Sequence, residues 1–157
     1  MLGHISFGVS DLARTTAFYD ATMTALGYGR VVTRPDRVGY GPPGRENNRL
    51  LLILKPDAIT PPGAGFHLAF VASSREAVDR FHAAALRFGG ADEGAPGPRP
   101  HYGPSYYAAF VRDPDGYKLE AKHPPPEPEQ QKLLPHSGAN AGAGGGAGVG
   151  VRSASDP

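Results

Sequence analysis

The chain has 157 residues, 39% of them hydrophobic and 20% charged, with a formal net charge of +1, a balance that fits one soluble globular domain and gives no electrostatic footprint for nucleic acid. It contains no cysteine, which excludes disulfide frameworks, zinc ribbons and thiol catalysis. No apolar run approaches the roughly 18 residues needed to span a bilayer, and the opening MLGHISFGVSDLART lacks the basic start and long apolar stretch of a secretory signal, so a cytoplasmic protein without membrane attachment is expected.

Residues 3–9 alternate, with Ile5, Phe7 and Val9 on one side and His4, Ser6 and Gly8 on the other, which is the period of a half-buried strand. A helix is predicted over 11–26, capped by Ser10 or Asp11, with Leu12, Thr15, Thr16, Tyr19, Met23 and Leu26 along one side and Gly27 and Gly29 ending it. Strands near 30–33, 37–40 and 49–54 follow, separated by Pro35 and the GPPGREN loop.

The same order then begins again. A strand is expected over 66–72 and a helix over 74–88, opened by a capping box of Ser73 and Glu76. Ala77, Val78, Phe81, Ala85 and Phe88 form its buried stripe, His82 lies on the exposed side, and Gly89 and Gly90 stop it. Strands near 91–93, 105–112 and 117–122 complete the copy, the last two joined by the turn Asp113, Pro114, Asp115, Gly116. Residues 4–27 lie over residues 67–90 without a gap, placing His4 on His67, Phe7 on Phe70, Ser10 on Ser73, Phe18 on Phe81 and Gly27 on Gly90. The chain therefore reads as a tandem duplication with an α+β fold: two βαβββ modules, 1–60 and 64–123, in one domain over 1–123. From Pro124 onward the composition turns to Pro, Gly, Ala and Ser, and 124–157 is expected to be a disordered tail. Leu133 and Leu134 are its one adjacent pair of large apolar residues.

Duplication makes His4 and His67 equivalent, so a rough twofold between the halves would let both imidazoles meet at one place. Glu120 shares a strand face with Lys118 and Lys122, opposite Tyr117, Leu119 and Ala121, and so looks away from the helices as the histidines do. Two imidazoles and a carboxylate are ligands that divalent Fe, Mn, Ni, Co or Zn accepts, and open coordination positions make such an ion catalytic. A plainer reading stands beside this one: the histidines share ancestry without function, and Glu120 is an exposed carboxylate neutralised by its two lysines. The segment RPHYGPSYY puts Arg99, His101, Tyr102, Tyr106 and Tyr107 in and beside a Pro/Gly-bounded loop entering a strand. Loops at the rim of a rigid sheet concentrate substrate contacts. His101 and Tyr102 are candidate acids or bases, and Arg99, Tyr106 and Tyr107 are candidate substrate contacts. Alternation sends one of the two adjacent tyrosines to the helices and the other to the cleft. Arg37 and Tyr40 are further candidates for meeting an anionic or aromatic substrate.

The duplicated pattern, the opening HISFGVSDLARTTAFYDATMTALGY, the GFHLAF strand and the segment YYAAFVRDPDGYKLEA resemble the vicinal oxygen chelate superfamily. It includes glyoxalase I, fosfomycin- and bleomycin-resistance proteins, methylmalonyl-CoA epimerase and extradiol dioxygenases. The resemblance covers residues 3–123 and implies a cup-shaped mixed sheet with helices outside, formed by paired modules within one chain or across a homodimer. It implies a divalent metal ion on His4, His67 and Glu120. Glyoxalase I and the epimerases add a fourth ligand, usually Glu or Gln, in the fourth strand, where the position nearest by alignment, around Ile53, is apolar. The resemblance thus favours the fosfomycin-resistance or dioxygenase branches over glyoxalase I chemistry. The expected function is a metal-dependent enzyme, a lyase or isomerase, transferase or dioxygenase, acting on a small oxygen-chelating substrate. The alternative is a ligand-sequestering protein of the bleomycin-resistance kind.

Overall fold

Period-two patterning forms β1 (Ile5–Val9), with Val9 buried and Ser6 exposed as the alternation requires. The computed structural model describes residues 3–44, 49–57 and 59–123; the tail expected at 124–157, with Leu133 and Leu134, lies outside the described residues. Helix α1 (Leu12–Ala25) starts at Asp11, whose Oδ1 accepts from the Arg14 backbone N–H at 3.0 Å. Its buried side is wider than the sequence stripe, because Phe18 and Thr22 join Thr15, Tyr19 and Met23 where α1 meets the second helix. Three strands complete the first module: β2 (Gly29–Arg34), β3 (Arg37–Gly41) and β4 (Leu50–Leu54).

The second module repeats the order as β5 (Leu68–Val71), α2 (Arg75–Arg87), β6 (Ala91–Pro98), β7 (Tyr107–Arg112) and β8 (Lys118–His123), with a short 3-10 turn at Pro100–Tyr102 before β7. Three local expectations are corrected. The cap of α2 is Ser74, whose hydroxyl accepts from the Ala77 backbone N–H at 3.2 Å; Glu76 hydrogen-bonds to Ser74, which holds its carboxyl below the usual range. His82 is buried, because its Nε2 reaches Asp92 Oδ1 of β6 at 2.9 Å, so a polar helix position is covered by a strand. Strand β6 extends five residues past Glu93. Its register shifts between Asp92 and Gly94 and again between Gly94 and Gly97, and bulges on an edge strand are where Gly and Pro are tolerated.

The strands form two four-stranded mixed sheets, ordered β1-β4-β3-β2 and β5-β8-β7-β6. In each, the first strand runs parallel to the last, Ile5 beside Leu50 and Leu68 beside Leu119. Both helices pack on their own sheets and along each other, and their apolar faces share one core that includes Phe18, Tyr19, Leu52, Phe81, Val111 and Leu119. Gly27 and Gly89 follow the helices with φ of 84° and 91°, the left-handed conformation that ends a helix. Gly90 serves another purpose: a Cβ there would stand 2.8 Å from Phe18 Cε2 and from the Arg112 carbonyl oxygen, so glycine lets the modules touch.

The modules are also tied by polar groups. The Tyr19 hydroxyl donates to Asp113 Oδ2 at 2.8 Å, while Asp113 Oδ1 accepts from the backbone N–H groups of Asp115 and Tyr117. Burial pushes the Asp113 carboxyl above its ordinary range despite these bonds. Asp115 accepts from the Ser10 backbone N–H and hydroxyl and pairs with Arg14. The Phe7 and Tyr117 rings lie 4.2 Å apart between centres. Among the described residues no helix is long and apolar enough to cross a membrane.

Candidate metal and substrate site

The face of the second sheet away from the helices carries most of the candidate residues. Leu119 and Ala121 of β8 are fully buried toward the helices, which turns Lys118, Glu120 and Lys122 the other way. On β7, Phe110 is the register partner of Glu120 and shares its face. Glu120 is nonetheless buried, its side chain 3% exposed, because two groups cover it. His67, just before β5, places Nε2 3.0 Å from Glu120 Oε2. The Tyr106 hydroxyl donates to Oε1 at 2.7 Å. Burial and this bond push the Tyr106 phenol well up.

The adjacent tyrosines are now assigned. Tyr106 faces the cleft, whereas Tyr107 turns to the helix side, where its hydroxyl bonds Asp79 Oδ1 at 2.8 Å and Arg75 lies 5.2 Å from its ring centre. The Tyr102 ring lies 5.3 Å from that of Tyr106 and 4.1 Å from that of His101, tilted against both. His67, Arg99, His101, Tyr102, Phe110 and Lys118 line a cleft of about 360 Å³, with Glu93 and Gly94 at its side. Phe110, Glu93 and Gly94 were not singled out from the sequence, and Lys118 only as a charge beside Glu120. Alternation from Glu120 across the DPDG turn could have found Phe110, but the bulges of β6 hide Glu93 and Gly94 from any period count.

The first module contributes differently. His4 stands exposed just before β1, beside Arg49, whose carbonyl accepts from the Ile5 backbone N–H and whose guanidinium donates to the Gly3 carbonyl. Among the described residues no three His, Cys, Asp or Glu side chains come together as a metal site; His67 and Glu120 meet, and His4 does not join them within the chain. Arg37 lies on β3 and pairs with the neighbouring Asp36 at 2.6 Å. Tyr40 is turned into the core, 1% exposed, with its hydroxyl 2.8 Å from Asp20 Oδ1. It is therefore a packing residue, because Val38 and Tyr40 share the helix-facing side of β3.

Register also locates the counterpart of Glu120. Ser6 pairs with Leu51 and Ala69 with Glu120, and Ser6 and Ala69 occupy equivalent places in the two copies. The fourth-strand position is thus Leu51 rather than Ile53, and both are apolar.

Residues 1–121 match the Glyoxalase/Bleomycin resistance protein/Dioxygenase superfamily. A solved glyoxalase/bleomycin resistance protein from Albidiferax ferrireducens T118 is 36% identical, with a TM-score of 0.68 over 80% of this chain and 99% of that one. A glyoxalase-related enzyme from Fulvimarina pelagi shares the fold at 22% identity and a TM-score of 0.62, over 80% of this chain and 88% of that one. A glyoxalase I mutant from Zea mays does so at 23% identity and a TM-score of 0.57, over 76% of this chain and 44% of its own length. Among curated proteins none matches. The chain belongs to the Glyoxalase/Bleomycin resistance protein/Dioxygenase superfamily.

The donor set tests whether a divalent cation suits this site. A buried carboxylate must be paired, hydrogen-bonded or bound to a metal, and Glu120 has one hydroxyl and one imidazole for partners. Imidazole and carboxylate side by side are ligands of the Fe-to-Zn series, so the half-site fits such an ion.

Proposed function

We propose that the protein is a metal-dependent enzyme of the glyoxalase or dioxygenase type, acting on a small molecule that presents oxygens to the ion. In this reading His67 and Glu120 of one copy and His4 of the partner subunit hold divalent Fe, Mn, Ni, Co or Zn in a homodimer. The observation that carries it is the buried Glu120 carboxylate, with Oε2 3.0 Å from His67 Nε2 on a face shared with the cleft. The intersubunit arrangement is favoured because equivalent strands place His4 and His67 at corresponding points of two modules, while no triad assembles within the described chain.

When bound, such an ion supplies a Lewis acid that polarises substrate oxygens. The chain's own residues do the rest. Tyr106 fixes the Glu120 carboxylate by holding one oxygen, which orients the other toward His67. His101 stands at the cleft mouth, where its imidazole can take or give a proton, and Tyr102 packs against it at a tilt. Arg99 and Tyr106 flank the substrate. The two-His, one-Glu set with apolar Leu51 leaves no carboxylate at the place of a fourth-strand base.

Elemental analysis of the purified chain, reconstituted in turn with Fe, Mn, Ni, Co and Zn, tests this. About one ion per site is expected in the parent, with a large loss in His67→Ala and in His4→Ala. Mixing the two variants after brief unfolding restores part of the metal content if the site spans a twofold dimer, because one of the two sites in each heterodimer is then intact. No restoration would place the ligands within one chain. No metal in the parent after reconstitution would sink the enzyme reading in favour of a ligand-sequestering protein. Activity toward the hemithioacetal of methylglyoxal, fosfomycin with a thiol, and catechols then separates lyase, transferase and dioxygenase.

A further inference from the structure

The cleft beside His67 holds a cation placed with more care than general substrate contact requires. Arg99 leaves the end of β6 and folds back over it. Its guanidinium donates to the carbonyls of Ala95 at 2.7 Å and Pro98 at 3.3 Å, with its carbon 5.6 Å from the centre of the Phe110 ring. Two glycines make the room. A Cβ on Gly94 would stand 3.2 Å from Phe110 Cδ2 and 3.4 Å from Arg99 Nη2, and one on Gly97 would stand 3.3 Å from Arg99 Nη1. The bulged Gly/Pro edge of β6 thus leaves the room that the guanidinium occupies.

The neighbouring charges are already matched. Glu93 pairs with Arg112 at 2.5 Å and with Lys118 at 3.3 Å, and these two cations hold its carboxyl below the usual range. It therefore offers little repulsion to a second anion. Arg14, Arg30 and Arg37 each pair with an aspartate, whereas the bonds that hold Arg99 are to neutral carbonyls. Carbonyl acceptors position a guanidinium without discharging it, and its remaining N–H groups can take a planar carboxylate in a paired arrangement.

Apolar surface lies beside that charge. Phe110 has Arg99 at 5.6 Å and Lys118 at 5.3 Å from its ring centre and His67 at 6.1 Å, edge-on, so one ring spans the distance from these cations to the half-site. Tyr102 is 60% exposed, although tilted contacts with the His101 and Tyr106 rings hold it in place. A tyrosine fixed on two sides and bare on the rest offers a flat apolar surface. The cleft volume of about 360 Å³ is at the small end of ligand pockets.

We propose that the cleft takes a small aromatic carboxylic acid, its carboxylate paired with Arg99 and its ring against Phe110 and Tyr102, the remainder reaching toward His67. This rests on the reading of the cleft as the substrate site and is independent of whether a metal binds.

Calorimetric titration of the full chain, dialysed against a chelator, tests it with three probes. These are benzoate, benzamide, which has nearly the same shape without the charge, and acetate, which lacks the ring. Benzoate is expected to bind about tenfold or more tightly than either. Arg99→Gln keeps an amide donor for the Ala95 carbonyl and is expected to lose the preference over benzamide. Arg30→Gln, which alters an arginine of the first module, keeps it. Every titration is made on metal-free protein, so failure to hold metal and failure to hold an acid are read apart. Equal binding of benzoate and benzamide, absence of benzoate binding, or a preference that survives Arg99→Gln would each overturn the proposal. Should Arg99→Gln fail to fold, the discrimination between benzoate and benzamide in the parent decides.

Discussion

Tyr106 shows how much one hydroxyl matters at the residue scale. Its bond to Glu120 is one of two polar contacts that keep a buried carboxylate satisfied, and a buried group that loses a partner bears the cost of its desolvation. Tyr106→Phe in metal-free protein should therefore lower unfolding stability by about 1–3 kcal/mol, read from urea midpoints at unchanged slope. Tyr107→Phe, whose hydroxyl meets Asp79 at the surface, serves as the comparison and should change stability by less. The sequence made it legible that these two tyrosines point oppositely, since adjacent strand residues must. Which one met Glu120 depended on register between β7 and β8, a matter of hydrogen-bond pairing between distant segments. The same limit explains Tyr40: its spacing suited a substrate contact, but only packing against α1 shows it facing Asp20.

Among the elements, β6 departs most from its sequence signal. Read residue by residue, the strand ends near Glu93, yet its edge position and two register shifts allow it to continue to Pro98 beside β7. What holds this irregular edge is partly charge: Glu93 of β6 bonds Arg112 of β7 and Lys118 of β8. Because those cations lower the Glu93 pKa, its contribution to stability is present above the ordinary glutamate value and is lost as pH falls through the lowered folded value. The melting temperature of the parent should accordingly exceed that of Glu93→Gln at pH 7, and the gap should close as pH drops below about 4.5. A gap that stayed constant through that range would show the pairing to be energetically silent, as exposed ion pairs often are. The regular elements, by contrast, were legible almost to their ends, because β1, α1, α2 and β8 combine strong periodicity with local caps and stops.

For the molecule as a whole, the seam between modules decides whether the chain behaves as one unit. The Tyr19 to Asp113 bond, the Ser10 and Arg14 contacts to Asp115, and the approach of Phe18 to Gly90 all cross it. One shared core should give one cooperative transition, with far-UV circular dichroism and tyrosine fluorescence changing together. Tyr19→Phe removes the donor from the buried Asp113 carboxylate and should shift that single transition by roughly 1–3 kcal/mol. Two separated transitions in the parent would contradict the shared core.

The sequence by itself determined the duplication, the βαβββ order of each half, the equivalence of His4 with His67 and the face on which Glu120 lies. All of these follow from periodicity and local chemistry, which act between residues close along the chain. Tertiary structure alone decided that His67 and Glu120 meet while His4 stands apart, that Leu51 is the counterpart of Glu120, and that Arg99 occupies the room two glycines leave beside Phe110. These depend on strand register, bulges and the docking of one module on another, where the contacts join residues far apart in sequence and no local pattern records the pairing.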